Sequence, residues 1–94
     1  MRQITFNPQN WVKDREILTV TEQSADRACF ILYDYHFTLT RHPDVPEDIL
    51  GFALWRITSP SWKEPLGSVA DDRPYPVCDD GVIIAAARHL ALRI

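Results

Sequence analysis

The stretch from Ala28 to Arg41, Ala-Cys-Phe-Ile-Leu-Tyr-Asp-Tyr-His-Phe-Thr-Leu-Thr-Arg, constrains the fold more than any other part of the chain. It is the longest run dominated by aromatic and β-branched residues, whose side chains pack well on an extended, pleated backbone. Side chains alternate between faces in a strand, so Cys29, Ile31, Tyr33, Tyr35, Phe37 and Leu39 share one side. That side reads as the core face. Phe30, Leu32, Asp34, His36, Thr38 and Thr40 fall on the other, which is mixed and mostly solvated. A competing helix would start at Ser24 and use Ala25, Ala28, Cys29 and Leu32 at helical spacing. The aromatic and threonine content beyond Leu32 favours the strand.

Two shorter strands precede this run. Ile4–Phe6 is closed by the turn residues Asn7, Pro8, Gln9 and Asn10, and Trp11 reads as a plug over one end of the sheet. Glu16–Thr21 then forms an antiparallel hairpin with the central run through residues 22–27. Pro43 ends the strand, because proline cannot extend a ladder. Asp44 looks like a helix N-cap, with Glu47 and Asp48 near the positive end of the dipole. A helix over Val45–Thr58 follows, apolar nearly all round through Ile49, Leu50, Phe52, Ala53, Leu54, Trp55 and Ile57. Gly51 leaves open a break, with Phe52–Thr58 as a strand. Ser59–Val77 holds four of the seven prolines and reads as a long loop anchored by Trp62 or Tyr75. Asp79 or Asp80 caps a last helix over Gly81–Leu92, with Ile83, Ala86, Ala87, Leu90 and Ile94 toward the core. The expected fold class is α+β: a small antiparallel sheet from the N-terminal half, with two helices packed on one face.

A chain of 94 residues suits a single domain. The net charge of -3 argues against a general nucleic-acid binder, so nucleic acid is not expected to be bound directly. Arg41, His42, Arg88, His89 and Arg93 make only a small basic group. Cys29 and Cys78 form no disulfide framework, the first residues are polar, and no apolar run approaches the ~20 residues of a membrane span. A cytoplasmic protein with free thiols, no membrane contact and no cofactor is the expectation.

No Cys or His pair has the short spacing of a zinc site, so no metal is expected. Cys78 stands before a helix, where the dipole favours a thiolate, but Asp79 and Asp80 oppose that shift. His89 is eleven residues on, roughly 16 Å along a helix, too far to act as a local base. An enzyme using Cys78 with a histidine is therefore a secondary reading. Interaction is the primary one: Phe52, Trp55, Trp62 and Tyr75 as contacts with a larger intracellular protein, rimmed by Asp71 and Asp72. The chain reads as a non-enzymatic protein-binding module or regulator, acting either alone or as a homodimer. The other alternative is a modulator of a nucleic-acid-processing enzyme, or a weak nucleic-acid binder.

Overall fold

In a computed structural model that describes residues 1–9, 15–42 and 53–92, the chain forms six strands and one helix. The strands are β1 (Arg2–Phe6), β2 (Glu16–Gln23), β3 (Arg27–Leu32), β4 (Tyr35–Arg41), β5 (Ala53–Ser59) and β6 (Trp62–Asp71). They make one antiparallel meander in the order β1-β2-β3-β4-β5-β6. The helix α1 (Asp80–Ala91) follows. The expectation of an N-terminal-half sheet under two helices is thus corrected: the sheet runs on to Asp71, and α1 is the one helix among the described residues.

The central run is two strands, not one. Tyr33 and Asp34 have φ of 52° and 68°, the left-handed backbone of a two-residue hairpin turn. This turn pairs Leu32 with Tyr35 and Phe30 with Phe37. Paired residues share a face, so the even positions of β3 join the odd positions of β4. Ala28, Phe30 and Leu32 are buried with Phe37 and Leu39. Cys29 and Ile31 lie on the opposite face, and Tyr33 sits exposed in the turn, which corrects the core face expected for an unbroken strand.

The expected Val45–Thr58 helix is a strand from Ala53 onward. In β5, Ala53, Trp55, Ile57 and Ser59 are buried while Leu54, Arg56 and Thr58 are half-buried, an alternation of period two. Leu54 is the one apolar outward residue of this strand, and only when read on from Ile49, Leu50 and Phe52 did the segment look apolar all round. Asp44, residues 45–52 and the plug Trp11 lie outside the described residues. The expected loop is largely β6, an edge strand, where Pro65 is tolerated because its missing N–H costs no ladder bond. The register shifts between Ile57↔Gly67 and Ser59↔Trp62, so residues 63–66 bulge against Thr58.

Helix α1 stands where its periodicity placed it. Asp79 is the N-cap, its carboxylate accepting from the Val82 N–H at 3.2 Å. Val82, Ile83, Ala86, Ala87 and Leu90 are buried and complete one core with the sheet; Ile94 lies outside the described residues. The helix approaches β6 most closely at Gly67, where a Cβ would overlap the His89 ring. With φ +129°, Gly67 also occupies a backbone region that side chains disfavour. His89 Nε2 lies 3.2 Å from the Leu66 carbonyl oxygen. No described element covers the other face of the sheet, and no helix among the described residues is long and apolar enough to cross a membrane.

Candidate protein-binding loop

An antiparallel meander sends alternate connections to opposite ends of the sheet. Paired along Ala53–Ser59, β6 carries the chain from one end to the other, a rise of about 20 Å. Trp62 therefore sits at one end, and Asp72 and Tyr75 at the other. Trp62 is half-buried and packs on Tyr35 and Phe37, with ring centroids 4.9 and 6.0 Å away. Trp55 is a core residue with no exposed surface, which corrects its expected role as a partner contact. Asp71 is also buried and is no polar rim. Phe52 lies outside the described residues. Of the expected contacts, Tyr75 and Asp72 stand together in the open, Tyr75 at 88% exposure.

The loop from Asp72 to Asp79 is held from inside by Arg73. Its Nε donates to Asp71 Oδ1 at 2.8 Å and its Nη2 to Asp71 Oδ2 at 2.6 Å, a two-toothed grip. Nη1 donates to Asp79 Oδ2 at 2.6 Å, and Nη2 also reaches the Val77 carbonyl at 2.9 Å. One guanidinium thus joins the end of β6, the far side of the loop and the helix cap. Arg41 Nη2 donates to the Pro76 carbonyl at 3.1 Å, and the Cys78 N–H to the Ala25 carbonyl at 2.9 Å. Gln23 Nε2 donates to the Cys78 carbonyl at 3.1 Å. Arg2 pairs with Asp80 at the start of α1. Pro74, Tyr75 and Val77 remain turned to solvent between these ties.

The charges follow the geometry. Hydrogen bonds from Arg73 hold the Asp71 carboxyl down to about 2, against the opposing effect of burial. The Asp79 carboxyl is lowered by Arg73 in the same way, and Arg73 is raised by both partners. Sequence reasoning gave Asp71 and Asp72 to a rim and Asp79 or Asp80 to a helix cap, and assigned Arg73 no pairing with either. The signal was an arginine placed between Asp71-Asp72 and Asp79-Asp80.

Beside the loop is an open depression of about 280 Å³ between β6 and the first turns of α1, its wall including Val69, Asp72, Gly81 and Ala85. Cys78 is buried, and burial foremost, then the Asp79 charge, pushes its thiol up to about 12. A thiol so held is protonated at neutral pH and a poor nucleophile. No group of three or more metal-ligating side chains occurs among the described residues. What this end of the molecule offers is an exposed aromatic side chain on a braced loop, and an open depression lined in part by the first residues of that loop. Comparison with protein-family models, with curated proteins and with solved structures finds no match to the chain.

Proposed function

We propose that the protein is a small non-enzymatic binding module that regulates a larger intracellular protein, presenting Tyr75 to it from the Arg73-braced loop. The observation that carries this reading is Tyr75 itself, almost fully exposed on a loop whose two ends are tied together by one guanidinium. Tyrosine is favoured at binding hot spots because it brings a large rigid surface with a polar tip. A loop already held in shape loses little entropy on binding, so more of the contact energy appears as affinity. Asp72 supplies a charged neighbour, and the adjacent depression accepts a small apolar side chain. The two cysteines are unpaired, in keeping with a cytoplasmic site of action.

The test is affinity capture from source lysate with wild type and Tyr75→Ala side by side, both checked by circular dichroism. Wild type retains a stoichiometric partner, and Tyr75→Ala binds the purified partner at least ~10-fold more weakly. Equal binding by the folded Tyr75→Ala variant removes the loop from the interface.

A further inference from the structure

The face of the sheet away from α1 has an unusual make-up. The outward positions of β4 and β5 are His36, Thr38, Thr40, Leu54, Arg56 and Thr58. Those of β2 and β3 include Ile17, Thr19, Cys29 and Ile31, with Ile17 at 56% exposure. An outer face that stays in water is normally laced with charge; depletion of charge marks the centre of an interface. Among the described residues, the formal charges on this face of the four inner strands are Arg56 on β5 and the Glu22–Arg27 ion pair at one margin of β2 and β3. Arg56 is in no ion pair among the described residues, and its Nε is buried without a hydrogen-bond partner.

The register locates these charges relative to each other. Arg27, Thr40 and Arg56 lie on one level across β3, β4 and β5. Glu22 pairs with Cys29, two residues along from that level, a distance of about 7 Å. β2 is second from one edge of the sheet and β5 second from the other. A two-fold axis parallel to the strands and midway between β3 and β4 exchanges β2 and β5. Two copies packed face to face about that axis set each Arg56 over the other copy's Glu22, within the reach of the two long side chains. Thr38 then faces the Cys29 level of the other copy. The area also suffices. Six strands of about seven residues present roughly 550 Å² of flat face per copy, so two faces reach the ~1,000 Å² that a stable interface needs.

We infer that the helix-free face is the contact between two copies of this chain, packed as aligned sheets with Arg56 of each copy paired to Glu22 of the other. Stacked sheets lie about 10 Å apart and within about 30° of alignment, which the flat array of threonine and aliphatic side chains permits. The contact is isologous and closes on itself. Rotation about an axis parallel to the strands keeps the two Tyr75 loops at the same end of the dimer. The pair is then a bivalent presenter, in which a second binding event becomes intramolecular.

Sedimentation equilibrium across concentrations up to about 200 µM tests the pairing. Wild type sediments as a dimer. Arg56→Glu and Glu22→Arg each weaken the dimer at least ~10-fold, and the charge-swapped double variant recovers it, because the opposed pair is rebuilt with its signs exchanged. Thr38→Arg sets a buried charge near the axis and yields a monomer; it takes the place of Arg56→Glu if that variant loses its circular-dichroism signature. A wild-type monomer throughout this range overturns the inference. So does a dimer that survives the single charge reversals, or one that the double variant fails to restore.

Discussion

The indole Nε1 of Trp55 donates a hydrogen bond to Asp71 Oδ2 at 3.3 Å, across the β5–β6 pair and next to the loop from Asp72 to Asp79. The same carboxylate takes two bonds from Arg73, and the Arg41 guanidinium lies 4.6 Å over the indole ring. The core and the loop are thus joined through one buried carboxylate. Trp55 carries the load from below, by packing and by its N–H, rather than by meeting a partner.

Trp55→Phe keeps most of the ring volume and removes the donor to Asp71. Its expected cost is about 1.5–3 kcal/mol, the worth of one bond to a charged acceptor, read as a lower urea midpoint at unchanged slope. Trp55→Ala empties the centre of the sheet and costs about 3–5 kcal/mol. A Trp55→Phe variant as stable as wild type means that the N–H contributes nothing.

Acid should weaken the fold through Asp71. Its carboxyl is held at about 2 in the folded chain, below the ~3.9 of an unfolded aspartate. The group is depressed on folding, so its stabilisation is fully present above pH ~4 and is lost as pH falls toward 2. The contribution is about 2 kcal/mol for a side chain that is only 4% exposed. Asp79 and Asp80, both also lowered, act in the same direction. Urea titrations between pH 2 and 6 should show the decline, and Asp71→Asn should flatten it. A decline of equal steepness in Asp71→Asn assigns the effect to other carboxylates.

The two cysteines should differ in reactivity. The Cys78 thiol is raised to about 12 by burial, whereas Cys29 is half-buried on the outer face. Iodoacetamide at pH 8 labels Cys29 in the Thr38→Arg monomer, where the outer face is open, and Cys78 only once urea opens the fold, as mass spectrometry of the two peptides reports. Because the folded chain holds the Cys78 proton more tightly than the unfolded one, its contribution is complete below pH ~8.5 and is lost as pH rises toward 12. Native labelling of Cys78 at the rate of a free thiol contradicts its burial and reopens a catalytic role.

Residues that speak through local rules were legible before any fold was known. The aromatic and β-branched content of Ala28–Arg41 marked extended chain, and the spacing of Ile83, Ala86, Ala87 and Leu90 marked the last helix, with Asp79 or Asp80 as its cap. Tyr33-Asp34 was missed as a turn because neither residue is glycine, yet both take positive φ. The error moved Cys29 and Ile31 to the wrong face. Ala53–Thr58 was read as the end of a helix, with a strand from Phe52 as the alternative, because Ile49, Leu50 and Phe52 before it and Leu54 within it hid the period-two alternation of Ala53, Trp55 and Ile57. Tyr75 and Asp72 were picked out by type, while the Arg73 ties that hold their loop were not.

By itself the sequence determined that the segments of β1 to β4 extend, where the last helix begins and which side chains are large enough to build a core. These follow from backbone sterics, capping chemistry and side-chain periodicity, all local to a few residues. Tertiary structure alone decided that Trp55 is interior and Tyr75 exterior, that Trp62 and Tyr75 stand at opposite ends, and that Arg73 grips both Asp71 and Asp79. Those outcomes depend on strand order and register. Register is set by the summed packing of the whole sheet against α1, a quantity that no single stretch of the chain contains.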